Sequence, residues 1–290
     1  MSVIAALDMA SLEPALRGAI GRSRTGRDVI TPRLVEAFRA TIQDDDAEAQ
    51  TGDPAPLAIH WCLAPATTRI SDLGPDGHTA HGDFLPEIPL ERRMWAGGRL
   101  TFHDTLRVGD TVERVSRIAD VTVKQGRSGT LCFVAIDHEV ATGRGPALTE
   151  RQDLVFRAAE GPRGATPEPA PAAEWRHAGT TDPVLLFRYS ALTFNGHRIH
   201  YDQPYVTGVE HYPGLIVHGP LQATLLLDFA ARIHGAPPRR FGFRAMSPLF
   251  AGEPYALGAA SREAAAGERR LDLWVGREDG GMTMRAEASW

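Results

Sequence analysis

The sequence predicts a duplicated α+β protein, in which each of two units wraps an antiparallel sheet around a long apolar helix. Three observations carry that expectation. β-branched and aromatic runs separated by turn residues fill 111–156 and again 240–289. A helix of low charge, Pro220 to Ile233, carries Leu221, Leu225, Leu226, Phe229 and Ile233 and meets its first acid only at Asp228. The segments Thr105-Leu106-Arg107-Val108-Gly109-Asp110 and Pro248-Leu249-Phe250-Ala251-Gly252-Glu253 echo each other, each ahead of three strands.

In chain order, Thr31 is an N-cap with Pro32 at the first helical position, and Leu34, Val35, Phe38 and Ile42 give helical spacing over 32–43. Asp44-Asp45-Asp46 is a solvated exit, and 71–90 is a loop rich in Gly, Pro and Asp. Strands follow from Leu100 and Phe102, then at 111–123, 130–140 and 148–156, with turns at Gln125-Gly126-Arg127 and Gly143-Arg144-Gly145. Trp95-Ala96-Gly97-Gly98-Arg99 and Lys124-Gln125-Gly126-Arg127-Ser128-Gly129 are expected to be turns or binding loops. Residues 158–174 are rich in Pro and Ala, so the expected division is a first half at 1–157, a linker at 158–181 and a second half at 182–290. The second half is expected to open on an apolar strand, 182–193, and to close with strands near 240–246, 254–262, 270–277 and 282–289. Gly235 is expected just past the end of the apolar helix.

Bulk properties exclude several classes. The net charge of −5 over 290 residues gives no electrostatic reason for nucleic acid. Cys62 and Cys132 lie far apart, which argues against a zinc site or a disulfide framework and for two buried thiols in a reducing compartment. The start lacks the basic region and long apolar run of a secretory signal, and no stretch reaches membrane-spanning length without charge or Pro. A cytoplasmic protein is expected.

The chemistry-bearing residues cluster in the second half. Asn195 and His200 stand five positions apart in Asn-Gly-His-Arg-Ile-His, and His218-Gly219-Pro220 opens the apolar helix. An imidazole takes or gives a proton near neutral pH, an amide can hold a water, and the free N–H groups at a helix start favour a developing negative oxygen. Singly, each is ordinary: Asn-Gly is a strong turn pair, Gly-Pro punctuates a strand-to-helix turn, and a lone histidine is usually held in a core or loop. Asp202 is expected to be a helix cap, because Pro204 follows it; His197 and His211 are expected to be surface or loop residues; Arg198, Arg239 and Arg240 could meet an anionic carrier but are expected to be solvated. The first half holds no second Asn/His pair, so it is expected to shape the pocket while the second half carries the chemistry.

At these residues the sequence resembles the MaoC-like hydratases and dehydratases of the hot-dog fold, whose motif runs Asp-x4-His, Ile-His-x-Asp, then a Gly turn into the central helix. Asn195 stands at the Asp position, His200 at the His position, and Val217-His218-Gly219 matches the turn. Met94 to Leu100 and Arg188 to Asn195 resemble the two-domain branch that includes type 2 hydroxyacyl-thioester dehydratases and mesaconyl- or itaconyl-CoA hydratases. The resemblance implies a double hot-dog fold and a hydro-lyase that acts reversibly on enoyl or 3-hydroxyacyl thioesters of coenzyme A or an acyl carrier protein. It implies His200 as the acid/base, Asn195 as the water-orienting group and the Gly219 N–H as the oxyanion donor. No metal or redox cofactor is implied, and monomer and homodimer are both open. Asn in place of Asp leaves two outcomes, a variant of the mechanism or reduced or lost activity. A thioesterase on the same scaffold and a non-catalytic acyl-thioester-binding protein are the alternatives.

Overall fold

The turn that echoes between the halves has one job in both. Gly109 and Gly252 take φ of 93° and 84°, a region that side chains other than glycine rarely adopt. Each then donates its N–H to the carbonyl just before a capped helix, Gly109 to Ile30 at 2.7 Å and Gly252 to Thr181 at 2.6 Å. The acid that follows each glycine caps its own turn: Asp110 accepts from the Arg107 N–H and Glu253 from the Phe250 N–H. The repeat is thus a repeated hydrogen-bond device that ties a strand entry to a helix entry.

The computed structural model describes residues 9–43, 45–79, 84–126, 129–158, 167–263 and 268–290. Asp44 of the acidic exit, 80–83 of the 71–90 loop, Arg127 and Ser128 of the turn and 159–166 of the linker lie outside these. The chain runs α1 (Met9–Arg17), β1 (Ser23–Val29), α2 (Pro32–Ile42), β2 (Arg92–Phe102), β3 (Thr111–Gly126), β4 (Gly129–Thr142) and β5 (Gly145–Arg157). It continues through β6 (Trp175–Thr180), α3 (Pro183–Thr193), α4 (Gln203–Gly208), α5 (Gly219–His234), β7 (Arg240–Ala245), β8 (Pro254–Arg262), β9 (Arg270–Arg277) and β10 (Met282–Ser289). One ten-stranded antiparallel sheet holds both halves, in the order β1-β3-β4-β5-β2-β7-β10-β9-β8-β6. The order mirrors about the β2–β7 junction, so the two units share a continuous sheet.

Thr31 and Gly235 cap as expected: Thr31 accepts from the Leu34 N–H, and Gly235 ends α5 at φ 81°. Three expectations need correction. Residues 182–193 form helix α3, not a strand: Asp182 accepts from the Leu185 N–H and Pro183 presets the first turn, the same N-cap and Pro pair that starts α2. Trp95 to Arg99 lies inside β2, not in a turn. Its glycines answer a packing demand, since a Cβ on Gly97 would come within 2.5 Å of the Phe243 carbonyl oxygen across the β2–β7 junction. Within the stretch read as a linker, 175–180 is strand β6, paired with β8.

The halves differ in their helices. α5 buries Leu221, Leu226, Leu227 and Ala230 completely, each leucine contributing roughly 2 kcal/mol by leaving water. In the first half the equivalent entry is marked by matching bonds, Val108 N–H to Asp53 O and Ala251 N–H to Leu215 O. There the chain makes the 3-10 turn Ile59–Cys62 in place of a long helix like α5. One apolar core spans both halves, from Val35 and Phe38 through Leu186 to α5. Cys62 and Cys132 are free and buried. No described helix is long and apolar enough to cross a membrane.

Candidate active site

Helix α3 ends at Phe194, which takes the left-handed conformation at φ 51° and directs the chain into the Asn195 turn. Asn195 donates its backbone N–H to Ser190 O at 2.8 Å, and its side-chain Oδ1 accepts the His197 N–H at 3.0 Å. That bond uses the carbonyl end of the amide and leaves Nδ2 as a donor. A 3-10 turn, Arg198–His200, then carries His200 inward. Arg198 binds Asp202 at 2.7 Å and the Pro75 carbonyl at 2.8 Å, so it holds the loop and is not a free solvated cation. Asp202 caps α4, as its place before Pro204 predicts.

His200 is 6% exposed. Its Nδ1 lies 2.7 Å from the Ile216 carbonyl, which can only accept, so Nδ1 carries the proton and Nε2 keeps its lone pair. The same Ile216 donates its N–H to Ile199 O, which clamps the histidine loop against the segment entering α5. Burial pushes the His200 imidazole down to about 4, so the ring is neutral at physiological pH.

His218 stacks on His200 with ring centroids 3.6 Å apart and an interplanar angle of 18°. It is fully buried, and its Nε2 meets Ser190 Oγ at 2.8 Å. Burial, together with the neighbouring rings, holds it well below the ordinary histidine range. Gly219 follows as the first residue of α5, whose leading N–H groups have no intrahelical acceptor. A Cβ at this position would meet nothing nearer than Trp95 O at 3.7 Å. Packing within the chain therefore does not demand the glycine.

His200, Asn195 and Gly219 line a single cavity of about 1620 Å³. The sequence-predicted trio is brought together. The first half contributes more than expected. The loop 73–79 docks on the histidine loop, with Arg198 N–H bonded to Asp76 O at 2.9 Å, and Gly77 so close to Gly196 that a Cβ there would overlap its carbonyl. His197 lies in a loop, one of the two expected settings, but it is buried and not on the surface; His211 is exposed. His197 faces His200 edge-on at 5.4 Å and His78 at 4.1 Å.

His78 Nδ1 lies 2.8 Å from Asp76 Oδ2. Burial opposes charge on both groups. It leaves His78 below the ordinary histidine range; at Asp76 burial is the largest single influence, but the hydrogen bonds from His78 together with the electrostatic pull of His78 and His197 outweigh it and hold that carboxyl well below the usual range. Asp76, His78 and His197 have ligand atoms within 4.8 Å of one another, the spacing a metal would use. Asp76 and His78 are already bonded to each other, and Arg93 bears electrostatically on both histidines, which disfavours a cation there.

Residues 58–251 match the family model for hydroxyacyl-thioester dehydratase type 2. The mesaconyl-C(4)-CoA hydratase of Chloroflexus aurantiacus is 39% identical over 270 residues, covering 92% of this chain and 95% of the relative. A solved MaoC-like dehydratase superposes with a TM-score of 0.73 at 13% identity, covering 94% of this chain and 98% of that one. A Mycobacterium tuberculosis protein described as a double hot-dog fold superposes with a TM-score of 0.61 at 15% identity, over 93% and 95% of the two chains. The fold is the double hot-dog, and the chain belongs to the hydroxyacyl-thioester dehydratase type 2 family.

Proposed function

We infer that this protein adds water reversibly across the double bond of an enoyl thioester, with His200 as acid and base. It is a thioester hydratase/dehydratase, as family membership and the 39% identical hydratase support. The observation that carries the residue roles is the His200 Nδ1 bond to Ile216 O, which fixes the tautomer and leaves Nε2 basic.

In the hydration direction the thioester carbonyl lies against the first turn of α5. A water held by Asn195 Nδ2 gives a proton to His200 Nε2 as its oxygen bonds to the β-carbon. The double-bond electrons move to the thioester oxygen, and the Gly219 N–H stabilises the enolate, an effect worth roughly 3 kcal/mol of barrier. His200 then returns the proton to the α-carbon, so water is added overall and the enzyme is restored. Asn195 orients and does not titrate. This route uses no metal or redox cofactor. The carrier is coenzyme A or an acyl carrier protein, and the acyl group is of the mesaconyl or itaconyl type. With two hot-dog units in one chain, the reading takes a monomer or homodimer in the cytoplasm.

Purified protein should abolish the ultraviolet absorbance of crotonyl-CoA or mesaconyl-CoA without releasing free thiol. His200→Ala should slow that reaction by about 10²–10⁴-fold. Equal rates for the two proteins would sink the assignment, and thiol release would convert it to a thioesterase.

A further inference from the structure

Five arginines line the cavity: Arg24, Arg93, Arg114, Arg157 and Arg277. Four are engaged. Arg277 pairs with Asp279 at 2.9 Å, Arg114 donates to the Ala64 carbonyl at 2.6 Å, Arg157 lies 3.4 Å from the Tyr212 hydroxyl, and Arg24 sits over the Phe84 ring. Arg93 has neither a hydrogen bond nor an ion pair among the described residues. Its neighbour on β2, Arg92, makes a 3.0 Å ion pair with Glu210, so the contrast is local.

The carboxylate that acts electrostatically on Arg93 is Asp76, which is hydrogen-bonded to His78. Arg24 acts on Arg93 with the opposite sign. His78 and His197, beside it, are neutral, so they do not compensate it either. Burial pushes the Arg93 guanidinium down only to about 10, so it is charged at neutral pH. An enclosed cation without a partner is costly, and an anion with two oxygens matches its planar fork.

We propose that Arg93 is a specificity residue: it binds the free carboxylate of the acyl group and selects acyl chains that carry one over those that do not. The proposal rests on the hydratase reading for its reaction and on the unpartnered guanidinium for its ligand. The position favours the acyl group over the phosphates of the carrier. Arg93 lines the same cavity and acts electrostatically on His78 and His197, of which His197 faces His200 edge-on, whereas the pantetheine arm holds the phosphates far from the thioester.

The test separates these sources, because succinyl-CoA and butyryl-CoA share a carrier and carbon count and differ in the carboxylate. Wild-type protein should bind succinyl-CoA about 10- to 100-fold more tightly than butyryl-CoA in calorimetry, and Arg93→Met should erase that preference. Arg93→Lys should restore part of it. The same variants should lose kcat/KM for mesaconyl-CoA and keep it for crotonyl-CoA. Equal losses for both acyl groups would point to a carrier contact and overturn the proposal, as would a wild type without preference. Carboxylate preference in binding with no turnover of any enoyl thioester would instead overturn the hydratase reading and leave this inference standing. Should Arg93→Met fail to fold, Arg93→Gln answers the same question.

Discussion

His200 and His218 lie face to face, 3.6 Å between ring centroids, with only His218 wholly removed from the cavity surface. The inner ring is fixed through Ser190 and serves as a flat wall for the outer one. His218→Ala opens that wall and orphans the buried Ser190 hydroxyl. It should lower kcat by about 10- to 100-fold with little change in KM, because the base loses its orientation and the substrate contacts remain. His218→Phe keeps a flat ring and should retain more activity than His218→Ala. Steady-state kinetics on both variants check this.

The pH dependence follows from the burial of His200. Its folded-state pKa is about 4, against 6.5 when unperturbed. Below 6.5 the unfolded chain takes up a proton that the folded chain refuses until about 4. The stability contribution is therefore complete above 6.5 and is lost as pH falls through that window, to a total of about 3 kcal/mol. His197 and His218 shift in the same direction and steepen the loss. Melting temperature should be flat above pH 7 and fall steadily between 6.5 and 4. In the free enzyme kcat/KM should show no acid limb near 6.5, since His200 stays unprotonated there.

Asn195 tests the division of labour in the loop. Asn195→Ala removes both the water-directed Nδ2 and the acceptor for the His197 N–H. The rate should drop about tenfold, the loss expected for one hydrogen bond, and far less than for His200→Ala. A drop as large as that of His200→Ala would mean that the amide does more than orient water.

Gly77 tests the contact between the halves. Its φ is 87°, and a Cβ there would overlap the Gly196 carbonyl. Gly77→Ala should destabilise the protein by about 1–3 kcal/mol and lower kcat/KM through displacement of the Asn195–His200 loop. Chemical denaturation and kinetics on one sample measure both.

Much of this was legible in the chain, for local reasons. The strands of the second half show their alternation, α5 its low charge and its Gly235 stop, and Asp202 its capping role. Helix α3 was not, because Val184, Leu185, Leu186, Phe187 and Tyr189 lack a clear polar face and resemble a buried strand. The available signal was Asp182-Pro183, a copy of Thr31-Pro32. His200, Asn195 and Gly219 could be named because two short segments of one half hold them. His78 and Arg93 could not, since only the tertiary fold carries 73–79 and β2 to the cavity. His197 and His218 stood beside named residues, yet spacing alone does not tell a buried ring from an exposed one.

The reduced 3-10 turn at Ile59–Cys62, set against the full α5, has a consequence for ancestry and engineering. In a symmetric pair of identical subunits, shortening the helix would remove it from both partners, and the helix-start amide proposed as the oxyanion donor would go with it. Fusion in one chain lets one half carry the 3-10 turn while the other keeps α5 and the residues proposed to react. Splitting this chain and pairing either half with itself should therefore yield a unit with room and no chemistry, or with chemistry and a smaller chamber.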